Sequence, residues 1–145
     1  MLFPASLDAS TPVNPPATPN AALLDRPDVQ RGMAWLLLVL IVVISYLALS
    51  PAPPKQMNLG WDKLNHLSAF ATLALLGRLA WPRRSLVVPL ALLAYGAAIE
   101  VLQSWVPGRS GEWADLLADA LGLLLGSLAS WALRRLLRPS PRKAN

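Results

Sequence analysis

Four long apolar stretches alternate with short polar segments along this chain of 145 residues. They cover about residues 33–49, 62–81, 85–106 and 115–133. As helices, all four are long enough, or nearly so, to cross the ~30 Å hydrocarbon core of a bilayer. Pro82 and the Pro107-Gly108 pair lie between stretches, where such residues favour turns. The pattern predicts an all-α protein built as a bundle of four transmembrane helices.

The segments outside these stretches predict two tails around one membrane domain. Residues 1–30 are rich in Pro, Ala, Asn, Ser and Thr, which is typical of a disordered tail. Residues 31–134 hold the four predicted spans, and residues 135–145 form a basic tail. A cleaved signal peptide is the alternative interpretation of the first stretch. Its length and its distance from Met1, behind a segment without a basic start, favour a retained helix.

The positions of lysine and arginine predict how the helices are oriented. One set of helix ends carries most of the basic residues: Arg26, Arg31, Arg78, Arg83, Arg84 and the C-terminal cluster. The opposite set carries only Lys55, Lys63 and Arg109. Because basic residues accumulate on the cytoplasmic side, both termini are predicted to be cytoplasmic. We expect a multi-pass protein of the plasma (inner) membrane whose main partner is the lipid bilayer.

Composition agrees with a membrane protein and excludes some other classes. Hydrophobic residues make up 54% of the chain and charged residues 14%, against about 25% charged in ordinary soluble domains. The chain has no cysteine, which excludes disulfides, thiolate metal sites and a cysteine nucleophile. The net charge of +5 comes largely from the basic tail, where membrane anchoring explains it better than nucleic-acid binding. Homo-oligomerisation is left open by the sequence.

The few polar residues of the apolar stretches fall at the ends that are predicted to be extracytoplasmic. They are Asp62, Lys63, His66, Glu100, Gln103, Arg109, Asp115 and Asp119. Ionisable groups at membrane depth are costly and usually mark a functional site. Helical spacing places several of them on faces that continue into small residues, such as Asp115 and Asp119 with Gly122 and Gly126. We therefore expect three helices to converge below one polar pocket.

The chemistry of these residue types suggests a role for each. His66, Glu100 and Asp115 are the candidate catalytic residues, because they can exchange protons. The candidate substrate-binding residues are Arg109, Asp62, Lys63, Gln103 and Asp119. The carboxylates and the histidine could also hold a divalent metal, but no metal-binding motif accompanies them, so no cofactor is predicted.

Each residue also has a structural interpretation. Glu100 could form a buried pair with Lys63 or Arg109, and Arg109 could instead pair with Glu112 or Asp115. Asp62 and Asp115 could simply interact with the N-termini of their helices. Gln103 is better explained as a hydrogen bond between helices than as a catalytic group.

The ordered set of polar residues resembles the VanZ family over about residues 59–131. The matching residues are Asp62-Lys63, His66 and Phe70, then Glu100 and Gln103, then Pro107 to Arg109, then Asp115, Asp119, Gly122 and Gly126. Asp119 stands where the family pattern has Asn. The resemblance implies a membrane protein of the cell envelope, linked by the family's name to resistance against the glycopeptide teicoplanin.

Three functions are consistent with these observations. In the first, an outward-facing pocket binds or processes an anionic lipid-linked substrate, such as an envelope precursor or a phospholipid. Arg109 would then hold the head group while His66 and Glu100 transfer protons. In the second, the cluster only fixes helix packing or binds a partner. The third is a proton- or ion-coupled transporter, although the inner halves of the spans have few polar residues apart from Arg78.

Overall fold

The structure is a computed structural model that describes residues 23–51, 62–109 and 111–137. Within these ranges the chain forms four long helices and no strand, which confirms the all-α class. The helices are α1 (Pro27–Leu49), α2 (Asp62–Ala80), α3 (Val87–Gln103) and α4 (Trp113–Leu136). Most of both predicted tails, and the loop before Asp62, lie outside the described residues.

The helix bounds differ from the predicted spans in ways that local chemistry explains. Pro27 begins α1 because proline suits the first helical position, so residues 27–30, which the sequence assigned to the tail, are helical. Helix α3 ends at Gln103 rather than 106, and a hydrogen-bonded turn follows it. Helix α4 begins two residues before Asp115 and extends to Leu136. Hydropathy marks apolar stretches but not these ends.

Helices α2 and α4 run in the same direction and pack closely along their length. Lys63 faces Asp115 at one end, and Arg134 donates a hydrogen bond to the Leu79 carbonyl at the other. Between them, a Cβ on Gly122 or Gly126 would overlap with the backbone of α2. Glycines therefore permit the contact, as small residues do between membrane helices.

Helices α1 and α3 run in the opposite direction to α2 and α4. Near one end of the bundle, Gly77 of α2 lies beside Leu37 of α1 and Val88 of α3. At the other end, Gln103 of α3 donates a hydrogen bond to the Ala48 carbonyl of α1. The buried apolar residues lie between these ends: Leu37, Phe70, Leu73, Ala74, Leu76, Val88, Leu92 and Leu123. The four helices thus form an up-and-down bundle.

Much of the outer surface of the bundle is apolar. Helices α1 and α4 are each long and apolar enough to cross a membrane. In the most apolar window of α1 only 6% of the residues are buried, so this helix is not the core helix of a soluble fold. The exposed apolar side chains of the bundle include Trp35, Val42, Leu90, Leu117, Leu121 and Leu128. Such a surface is what lipid contact requires.

Candidate functional site

Three helices bring His66, Glu100 and Asp119 together at the end of the bundle where α2 and α4 begin. His66 Nδ1 and Asp119 Oδ1 form a hydrogen bond of 2.9 Å, and Glu100 Oε1 lies 3.7 Å from the same nitrogen. His66 is 8% exposed, Glu100 9% and Asp119 0%. The sequence predicted this convergence from helical faces, and we name the three side chains the buried triad.

The start of α4 holds Glu100 in place. The Glu112 backbone N–H donates a hydrogen bond of 2.8 Å to Glu100 Oε2. Gly111 lies against the Glu100 carbonyl, where a Cβ would be too close. The sequence reasoning missed both contacts, although the Gly111-Glu112 pair directly before α4 is a signal that could have suggested them.

Lys63, Asp62 and Asp115 lie around the rim of the triad. Lys63 Nζ is 3.1 Å from Glu112 Oε2 and 3.5 Å from Asp115 Oδ1. Asp115 is 2% exposed, and Asp62 is exposed in the first turn of α2. Lys63 therefore bridges the exposed Glu112 and the buried carboxylate of Asp115. Within the described part of the chain, Glu100 pairs with neither Lys63 nor Arg109.

Arg109 and Gln103 contact the end of α1. Arg109 donates from Nε to the Ser50 carbonyl and from Nη2 to the Leu47 carbonyl, rather than pairing with Glu112 or Asp115. Gln103 Nε2 donates to the Ala48 carbonyl, which agrees with the interhelical hydrogen bond considered from the sequence. Because the last carbonyls of a helix lack partners within it, these side chains satisfy the C-terminal turn of α1.

A half-open groove of about 420 Å³ lies between α1 and α2, next to the triad. Its polar end is formed by Asp62, His66, Gln103 and Arg109. Its other walls are largely apolar and include Leu40, Val43, Ile44, Leu47, Ala69, Phe70 and Ile99. The groove therefore has the character of an amphipathic ligand site, with one polar end and a long apolar part.

A second polar contact joins α1 to α3 in the middle of the bundle. Ser45 Oγ and Tyr95 Oη lie 2.8 Å apart, and Tyr95 also donates to the Ile41 carbonyl. The Tyr95 ring stacks on Phe70 with centroids 5.9 Å apart. Sequence reasoning did not select these residues, since isolated Ser and Tyr residues in apolar helices carry no distinctive pattern.

The charges of the site are unbalanced. Carboxylates come from Asp62, Glu100, Glu112, Asp115 and Asp119. The facing basic groups are Lys63, the guanidinium of Arg109 and the imidazole of His66. A buried carboxylate is stable when paired, ligated to a cation or protonated. The arrangement can therefore exchange protons, bind a cation or order a polar head group.

The fold and the site define a helical protein with membrane-compatible helices and a buried polar cluster at one end. A family model described as VanZ/LLP1 matches residues 26–134, which cover α1 to α3 and all but the last two residues of α4. The chain belongs to this family, as its motifs suggested. No curated protein and no solved structure matches the chain significantly.

Proposed function

We propose that this chain is a four-span protein of the plasma (inner) membrane whose outward-facing pocket binds an anionic lipid or lipid-linked envelope precursor. Two spans rest on the length and hydropathy of α1 and α4. A third span rests on α2, because this helix runs beside α4 from Lys63 to Leu79. Helix α3 is the fourth, because it leads back from the end of α2 to the start of α4. Family membership supports the envelope role.

The distribution of basic side chains supports the proposed orientation. The end of the bundle opposite the triad carries Arg26, Arg31, Arg78, Arg83, Arg84, Arg134 and Arg135. The described residues at the triad end contribute Lys63 and Arg109. By the positive-inside rule, this distribution supports cytoplasmic termini and an outward-facing polar end of the groove.

The groove between α1 and α2 is the observation that carries the lipid proposal. Its α2 wall extends from Asp62 to Thr72, which is about 15 Å along a helix. This length is about half of the ~30 Å hydrocarbon core, so the groove spans one leaflet. An acyl or isoprenoid chain fits the apolar walls while its head group lies beside His66 and Arg109.

The choice of an anionic head group rests on Arg109. Its Nε and Nη2 atoms are used on α1, but its fixed positive charge still borders the groove. The assignment of His66, Glu100 and Asp115 to proton transfer remains a prediction. The geometry that favours it is the hydrogen bond between His66 Nδ1 and Asp119 Oδ1, which fixes the His66 ring at the groove wall.

Native mass spectrometry of the purified protein tests lipid binding. Ala69→Trp places a large side chain in the groove, whereas Leu124→Trp changes an exposed position on α4. We expect wild type and Leu124→Trp to retain an anionic lipid and Ala69→Trp to lose it. Equal retention by wild type and Ala69→Trp, with Ala69→Trp folded by circular dichroism, would contradict the proposal.

The proposal extends to teicoplanin through the family resemblance. Expression of the wild type in a teicoplanin-sensitive host is expected to raise the inhibitory concentration, and expression of Ala69→Trp is not. An unchanged inhibitory concentration with the wild type would remove this part of the proposal and leave lipid binding to be judged separately.

A noncatalytic structural module is the second candidate function. It is favoured by the contacts of Gln103 and Arg109 with α1, and of Glu100 with α4, which tie the helix ends together. It predicts that Glu100→Gln lowers the thermal stability and that the purified protein retains no specific lipid.

A transporter is less well supported, because Phe70, Leu73 and Leu123 form an apolar core below the triad.

A further inference from the structure

Buried carboxyl groups outnumber the basic groups available to balance them. Glu100, Asp115 and Asp119 are each at least nine-tenths buried. Lys63 contacts Asp115 and Glu112, and the N–H groups of Arg109 are directed at carbonyls of α1. This leaves Glu100 and Asp119 with one neutral or singly charged histidine between them. Buried charges in proteins are paired or coordinate metals.

Unpartnered oxygens give a second, independent sign of a missing ligand. Glu100 Oε1 and Asp119 Oδ2 are buried and accept no hydrogen bond within the described part of the chain. The other oxygen of Glu100 is fixed by the Glu112 N–H, and this holds Oε1 toward His66. Satisfied buried polar groups are the rule, so such oxygens indicate an unseen partner.

We propose that the buried triad binds one divalent cation through His66 Nδ1, Glu100 Oε1 and an Asp119 carboxylate oxygen. One ligand atom from each residue lies within 4.8 Å of the other two. The closest pair, His66 Nδ1 and Asp119 Oδ1, is 2.9 Å apart, so small movements give metal–ligand distances of about 2.0–2.2 Å. One imidazole with two carboxylates suits Mn²⁺ or Zn²⁺ better than Ca²⁺.

A second set of residues, Asp62, His66 and Asp115, also brings ligand atoms within 4.8 Å. It fits a cation less well, because Asp62 is exposed and Asp115 already faces Lys63. Glu100, by contrast, is buried, and its Oε1 atom has no hydrogen-bond partner within the described residues. These differences assign the cation to the triad.

The cation also explains how an anionic head group can approach an acidic site, a consequence that rests on the proposed function. Carboxylates near His66 would repel a phosphate. A divalent cation on the triad offsets their charge and can attract phosphate oxygens. The site itself is argued from the triad alone, so cation binding can be tested without any lipid.

The experiment uses the full chain in detergent, purified without a polyhistidine tag, delipidated and treated with a chelator. Mn²⁺ is titrated while electron paramagnetic resonance records free and bound metal. The wild type is expected to bind one equivalent, with nitrogen coupling from His66 in pulsed spectra. Glu100→Gln, which can still accept the Glu112 N–H, and Asp119→Asn are expected to weaken binding by at least about tenfold.

Control variants separate this site from nonspecific binding by carboxylates. Asp62→Asn and Glu112→Gln are expected to leave Mn²⁺ affinity within about twofold of the wild type, since neither supplies a side-chain ligand to the triad. No stoichiometric binding at millimolar Mn²⁺, as expected if a protonated carboxyl satisfies the oxygens, would overturn the proposal. Mn²⁺ binding without nitrogen coupling in the wild type would overturn the proposal as well. So would Mn²⁺ binding that is lost in Asp62→Asn but retained in Glu100→Gln.

Discussion

His66 on α2 and Asp119 on α4 are 53 positions apart in the sequence, yet their side chains meet at 2.9 Å. The contact belongs to a regular parallel packing in which Lys63 faces Asp115 and Leu79 contacts Arg134. Glycines on α4 permit this packing, and the packing in turn aligns the polar turns of the two helices. The contact between His66 and Asp119 is therefore a consequence of the close parallel packing of α2 against α4.

The first prediction concerns the strength of the His66–Asp119 contact. A double-mutant cycle with His66→Leu and Asp119→Leu should give a coupling of about 1–3 kcal/mol in the free energy of unfolding, because both groups are buried. The cycle is measured in detergent with a chelator present. The Lys63–Glu112 pair, which is partly solvent-exposed, should couple more weakly. A His66–Asp119 coupling no larger than that of this control pair would contradict the account.

The second prediction concerns the close approach of α2 and α4. In Gly126→Ala the new methyl group would overlap with the Ala71 carbonyl, so we expect a loss of about 1–3 kcal/mol in unfolding free energy. Gly32→Ala is the matched control, because nothing lies within 4 Å of the added Cβ. It should be neutral or slightly stabilising, since alanine favours a helix. Equal effects of the two substitutions would show that α4 does not need glycine at this position.

The third prediction concerns the attachment of α1. Arg109→Lys keeps the charge but loses the planar guanidinium that reaches the Leu47 and Ser50 carbonyls together. We expect faster amide hydrogen exchange in the last turn of α1, measured by mass spectrometry. Arg135→Lys, at the opposite end of α4, should leave this exchange unchanged. Unaltered exchange in Arg109→Lys would mean that Gln103 alone is sufficient to hold the end of α1.

The fourth prediction concerns topology. Because the natural chain has no cysteine, Trp113→Cys and Leu86→Cys each carry a single thiol, at exposed positions near opposite ends of the bundle. In spheroplasts, a membrane-impermeant maleimide should label Trp113→Cys, and Leu86→Cys only after lysis. Labelling of both in intact spheroplasts would contradict a membrane-spanning α3. The reverse pattern would contradict the proposed orientation.

The sequence predicted the helices and much of the site because both depend on local periodicity. Helix α1 ends at Leu49, where the first predicted stretch also ends, because prolines follow closely in the sequence. The faces carrying His66, Glu100 and Asp119 are buried together, as helical spacing indicated. These features can be read from one segment at a time.

The remaining features depend on which helices are neighbours, and periodicity does not contain that information. The sequence did not indicate that Arg109 donates hydrogen bonds to the Leu47 and Ser50 carbonyls at the end of α1. The N–H of Glu112 that holds Glu100 is a backbone group, so the periodicity of side chains does not predict this contact. The groove is lined by residues of α1, α2 and α3 together, which is a tertiary property.

The most direct test of the central claim is photocrosslinking with an anionic phospholipid that carries a diazirine on its acyl chain. In proteoliposomes, we expect labelled peptides to map to the groove walls, around Val43 to Leu47 on α1 and Ala69 to Thr72 on α2. An excess of unlabelled anionic lipid should abolish this labelling, and a zwitterionic lipid should not. Labelling spread evenly over exposed positions such as Val101, Leu124 and Leu128, without competition, would contradict a specific lipid site.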